Sequence, residues 1–206
     1  MISDRRRARI ELVARHRQPD LTVVVENVHD PHNVSAMLRS CDAAGVVQIQ
    51  LVYTTEAFPK IGSKSSASAG KWVEARRFRS IDQCYEQLKS EGFTILATRI
   101  GATSKSLYTA DFTARTAIVF GNEHRGVSDE AANGADSLVQ IPMVGMIQSL
   151  NVSVACAVTL FEALRQRMQA PGWGNPKLPP QELAALVERW SQKPRLRVGK
   201  KKGSPQ

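Results

Sequence analysis

Apolar residues follow two different rhythms along the chain. Short β-branched or apolar runs read as strands, namely LTVVVENV (21–28), VVQIQLVY (46–53), FTILATRI (93–100), TAIVFGNE (116–123) and SLVQIPM (137–143). Compact runs of this kind bounded by turn-forming residues suit strands buried on both faces. Between them lie helical stretches over 3–16, Asn33–Ala44, 80–91 and 128–135. Ser3 or Asp4 suits the cap of the first and Asn33 the cap of the second, which Gly45 then stops. A longer helix follows the IPMVGMIQSLN segment, and Leu150, Val154, Val158, Phe161 and Leu164 recur at helical spacing, which predicts that this face is buried. In LPPQELAALVERW, Leu183, Leu186, Val187 and Trp190 form an i, i+3, i+4, i+7 stripe, so that helix must pack on something. The polar segment 54–72 (TTEAFPKIGSKSSASAGKW) is expected to order only partly by itself, and PGWGNPKLPP after Ala170 reads as a linker. Strands alternating with helices predict an α/β fold with a mostly parallel sheet covered by helices on both faces. The predicted core domain is 21–170, flanked by a basic helical extension (1–20) and by a linker, amphipathic helix and basic tail (171–206).

Composition narrows this picture. A 206-residue chain with 42% hydrophobic residues can bury a sizeable core. No apolar run approaches the roughly 20 residues needed to span a bilayer, so no membrane partner is expected. The N-terminus MISDRRRARIELV lacks the apolar stretch and small-residue cleavage site of a signal peptide. Cys41, Cys84 and Cys156 are odd in number and widely spaced. They suit buried packing in a reducing cytoplasm better than disulfides or zinc.

Charge is concentrated at the two ends. Residues 1–20 hold six arginines against three acids, and residues 193–206 hold six basic residues and no acid. Together they account for the whole net charge of +9, so residues 21–192 are formally neutral. Basic arms on a neutral core are a footprint for a phosphate backbone, although solvated tails serving solubility would look the same. Arg5, Arg6, Arg9 and Arg17 are the N-terminal candidates for contact with such a backbone.

Candidate chemistry lies in three segments. IPMVGMIQSLN (141–151) joins a strand to the long helix through an uncharged loop with one glycine, as a cofactor cradle would. NVSAMLR (33–39) sits at a helix start, and GNEHRG (121–126) follows a strand. The glycines at 121 and 126 have P-loop spacing, but the lysine of that motif is missing, which argues against ATP. His29 and His32 have no cysteine or carboxylate at ligand spacing, so no metal is expected. No glycine-rich fingerprint follows the first strand, which disfavours a dinucleotide-dependent dehydrogenase.

Read in order, the three segments resemble the TrmH-like branch of the SPOUT superfamily, the 2′-O-ribose RNA methyltransferases. The flank RQPDLTVVVENVHDPHNVSA (17–36) is similar to its tRNA-modifying members. The resemblance implies S-adenosyl-L-methionine as cofactor, tRNA as partner with guanosine-18 of the D-loop as target, a homodimer, and a C-terminal trefoil knot. It implies Arg39, Asn33, Glu123, Ser149 and Asn151 as active-site residues, and Thr98, Gly121, Ile141, Met143 and Leu150 as cofactor contacts. Chemical reasoning qualifies two of these roles. A guanidinium stays protonated at ordinary pH, so Arg39 suits holding a phosphate and polarising a hydroxyl better than acting as a base. Six residues advance roughly 240° around a helix, so Asn33 and Arg39 do not share a face. Capping alone would explain Asn33, Ser149 and Asn151. Two further functions fit the pattern: ribosomal-RNA methylation, and RNA binding without catalysis. Many ribosomal enzymes of the branch carry an added RNA-binding domain, which a 20-residue arm does not supply.

Overall fold

The computed structural model describes residues 2–55, 57–58 and 69–192. Most of the polar 54–72 segment and the whole basic tail 193–206 lie outside the described residues. Seven strands form one wholly parallel sheet: β1 (Leu21–Glu26), β2 (Gln48–Val52), β3 (Glu74–Phe78), β4 (Thr94–Thr98), β5 (Lys105–Ser106), β6 (Thr116–Phe120) and β7 (Ser137–Gln140). Their spatial order is β3-β2-β1-β6-β4-β7-β5. The helices are α1 (Asp4–Arg15), α2 (Pro31–Ala43), α3 (Ile81–Ser90), α4 (Asp129–Gly134), α5 (Val152–Gln169) and α6 (Pro180–Ser191).

The sheet is covered on both faces, as the continuous apolar runs of its central strands require. Val23, Val25, Ile49, Leu51, Ile118 and Phe120 pack with Val34, Met37, Leu38 and Cys41 of α2 and with Cys156, Leu160 and Ala163 of α5. On the other face Val24, Ile95, Ala97, Ala117 and Val119 pack with α3 and α4. A third cluster joins α1 (Ile10, Ala14) to α6 (Leu186, Trp190), with Leu183 and Val187 half-buried at its border, so the predicted C-terminal stripe packs on the N-terminal helix.

Three local expectations change. Helix α2 starts earlier than its asparagine: Asp30 is the cap, its side chain accepting from the His32 N–H, and Pro31 takes the first helical position. Proline is favoured there because its fixed φ suits the helix and its missing N–H has no partner to lose. The edge strands β3 and β5 were not anticipated. In β3, EARRF is largely exposed, and an edge strand carries no apolar run to announce it. In α5 only part of the predicted stripe meets the core, through Val158. Val154 and Phe161 remain 46% and 50% exposed, whereas Cys156, Leu160 and Ala163 are fully buried.

Candidate active site

The three motif segments meet at the carboxyl ends of β1, β4, β6 and β7, where parallel α/β sheets place their ligand sites. Glu123, just beyond β6, is the anchor. Its carboxylate accepts from the backbone N–H of His29 (2.9 Å) and of Asp30 (3.1 Å), and from Asn33 Nδ2 (2.8 Å). Partial burial works against its charge, but these three hydrogen bonds prevail and hold its carboxyl below the usual glutamate range. Asn33 continues the chain, its Oδ1 accepting from Asn151 Nδ2 (3.1 Å). Asn151 also caps α5, accepting from the Ser153 backbone N–H. Residues 33, 123 and 151 thus form one connected set, and the capping account covers only part of what Asn151 does and none of what Asn33 does.

Local backbone geometry explains the glycines. Asn122 and Gly126 exchange backbone hydrogen bonds of 2.9 and 2.8 Å, and Gly126 has φ +68°. That tight turn folds against Gly121, where a Cβ would lie 2.1 Å from the Gly126 carbonyl. Asn122 stitches the turn to β1, donating to the Asn27 carbonyl (2.9 Å) while its own Oδ1 accepts from the N–H groups of His124 and Arg125.

Beside the turn opens a cleft of about 690 Å³, lined by Thr98, Gly121, Ile141, Met143 and Leu150 as well as Glu123 and Ser149. Its size falls within the range of small-molecule sites. Thr98 Oγ1 is occupied by the Val119 carbonyl (2.8 Å), so it shapes the wall. Sequence reasoning missed Leu107, which lies in a short 3-10 turn, and Arg99, whose guanidinium pairs with Asp129 (2.8 Å) at the cleft mouth. Leu107 carries no local signal. Arg99 could have been suspected because it directly follows a buried strand end.

Two predicted site residues stand apart. Arg39 is exposed on α2 and makes no contact with Glu123, Asn33 or Asn151 among the described interactions. Arg17 is a correction. Its side chain is 1% exposed, donates to the carbonyls of Asp42 and Val46, pairs with the Asp42 carboxylate and stacks on Trp190. A guanidinium so enclosed ties α1, α2 and α6 together and presents no donor to RNA. Arg5, Arg6 and Arg9 are exposed on α1.

A profile of the SpoU rRNA Methylase family matches residues 20–161. The chain belongs to this family. A tRNA (guanosine(18)-2′-O)-methyltransferase of Thermus thermophilus is 46% identical over 191 residues, 93% of this chain and 98% of that protein. The crystal structure of the Aquifex aeolicus TrmH/SpoU tRNA modifying enzyme superposes with TM-score 0.85 at 37% identity, covering 91% of this chain and 95% of that one. The SpoU methyltransferase AviRb of Streptomyces viridochromogenes, solved in complex with AdoMet, gives TM-score 0.68 at 25% identity over 75% of this chain and 63% of its own. Likeness to the first two covers more than nine-tenths of both chains. Among the described residues no helix is long and apolar enough to cross a membrane, and no cluster of three metal-ligating side chains occurs.

Proposed function

We propose that the protein transfers a methyl group from S-adenosyl-L-methionine to the ribose 2′-hydroxyl of guanosine-18 in tRNA. Near full-length coverage of a relative with that activity carries the proposal. The residues fit the cofactor: an apolar lining from Ile141, Met143 and Leu150, and a glycine turn too tight for any side chain at 121. Bound there, S-adenosylmethionine supplies an electrophilic methyl group. The apolar part of the lining would hold the donor in alignment, which matters because charge disperses in the transition state. Glu123 stays ionised and fixes the start of α2 to the turn beside the cleft. Asn33, held from both sides, carries that order to Asn151 and the α5 terminus, with Ser149 at the rim. Arg39, permanently charged and exposed on α2, is assigned to a substrate phosphate and to polarising the hydroxyl. The same reading includes a homodimer and the C-terminal trefoil knot. The apolar stripe Val154, Phe161 and Met168, about half exposed along α5, supports the dimer.

Incubation of unmodified tRNA and, in parallel, unmodified ribosomal RNA with S-adenosylmethionine, followed by mapping of 2′-O-methyl positions, tests the reaction. Methylguanosine at position 18 is expected; modification of ribosomal RNA instead would overturn the assignment. Arg39→Ala should lower turnover by at least about a hundredfold, the scale of a lost transition-state contact, with cofactor affinity unchanged. Near-normal turnover would remove Arg39 from the site.

A further inference from the structure

A second cationic feature lies at the β3 edge of the sheet, apart from α1 and from the cleft. The guanidinium carbons of Arg77 and Arg79 stand 5.3 and 4.4 Å from the centre of the Phe58 ring. Both arginines are exposed, and among the described residues neither has a carboxylate partner. Their neighbours in the strand differ: Arg76 is paired with Glu91 and Glu74 with Arg189. Parallel pairing sets Arg77 beside Leu51, and Leu51 packs on α2. Paired residues of a sheet project to one face, so Arg77, and Arg79 two residues on, lie on the face that carries α2 and Arg39. Phe58 packs on that same core and against Tyr53 (ring centres 5.4 Å), whose hydroxyl donates to the Val28 carbonyl (2.9 Å) just before the Glu123-anchored loop. The stack therefore sits on the carboxyl-end rim of the sheet, on the α2 side of the candidate site.

We infer that Arg77 and Arg79, pre-set on Phe58, form a docking patch for the phosphodiester backbone of the RNA substrate as it approaches Arg39. The inference rests on the proposed RNA-directed function. Stacking leaves the N–H edges of a guanidinium free to meet phosphate oxygens and reduces the entropy lost on binding. Arginines on an edge strand also discourage sheet-to-sheet pairing, and that role alone would leave RNA affinity untouched.

The test is tRNA binding over a salt series for the full chain, Arg77→Gln/Arg79→Gln, Arg77→Lys/Arg79→Lys, and Arg115→Gln. Arg115 stacks on Phe93 in the same manner (5.0 Å) but on the α3 face, so it controls for loss of a stacked arginine elsewhere on the surface. The double glutamine variant should bind tRNA more weakly, with a log–log salt slope shallower by about one to two units, since each lost phosphate contact removes up to about 0.9. The lysine variant should keep most of the slope, and Arg115→Gln all of it. An unchanged slope in the double glutamine variant, or an equal loss in Arg115→Gln, would overturn the patch. Failure of the unaltered protein to bind or methylate any RNA would instead overturn the function on which it rests.

Discussion

Glycine at 121 is required by packing, because the Gly126 carbonyl occupies the space a Cβ would need. Gly121→Ala must push the turn away from β6, at a cost of about 1–3 kcal/mol or more. We expect a lower melting temperature and at least tenfold weaker S-adenosylmethionine binding by calorimetry; parent-like binding would show that the turn does not shape the cleft. Glu123 gives a pH-dependent counterpart. Its folded pKa is depressed, so its contribution to stability is complete above the unfolded value of about 4.3 and is lost as pH falls through the lower folded value. The melting-temperature difference between parent and Glu123→Gln should therefore be constant from pH 6 to 8 and shrink below about pH 4.5. A difference that is flat throughout would mean that the carboxylate's charge is irrelevant to the network. These residues were legible in the sequence only through the order of their motifs. Asn33 lies 90 residues from Glu123 and 118 from Asn151, and no local periodicity reports hydrogen bonds across such separations. Arg17 was misread for a related reason: it lies in an arginine-rich arm, and the groups that enclose it, Asp42, Val46 and Trp190, are distant in sequence.

Helix α5 shows how far periodicity reaches at the scale of an element. Helical spacing correctly marked a long helix there, because apolar residues repeat on it. Yet the helix carries two apolar stripes, and hydropathy does not say which one meets the sheet. Small and medium residues (Cys156, Leu160, Ala163) do so, while Val154, Phe161 and Met168, spaced by seven, stay half exposed. The two stripes should respond differently to substitution. Leu160→Ala empties a core position and should cost about 2–5 kcal/mol, read as a lower melting temperature at any protein concentration. Phe161→Glu should leave the folded protomer intact by circular dichroism but shift sedimentation from dimer to monomer. A monomeric parent, or a dimeric Phe161→Glu, would contradict the assigned interface. The central strands were legible because burial on both faces makes them continuously apolar. Strand β3 was not, since its exposed EARRF alternation is set by edge position.

Charge separation governs the molecule as a whole. The formal excess lies in residues 1–20 and 193–206, and the structure refines what the first of these can do. Helix α1 uses Ile10 and Ala14 to pack on α6, Arg17 is consumed in the Asp42 pair, and Arg7 is paired with Glu11 (3.1 Å). Arg5, Arg6 and Arg9 remain exposed on a helix packed through the third core cluster, so their backbone positions are set by that packing. Three arginines on one helix can meet several phosphates at once, and the cleft lies on elements that contain none of them. Replacing Arg5, Arg6 and Arg9 by glutamine should therefore flatten the salt dependence of tRNA binding by up to about one unit per residue. Methyl transfer should slow chiefly through a higher KM for tRNA, with kcat at saturating tRNA and the affinity for S-adenosylmethionine preserved. Steady-state kinetics at two salt concentrations separates these quantities. A fall in kcat with unchanged KM would mean that α1 acts on the chemistry, not on capture of the RNA. Unchanged kinetics would place the RNA-binding charge elsewhere, with the rim around Arg39 next in line.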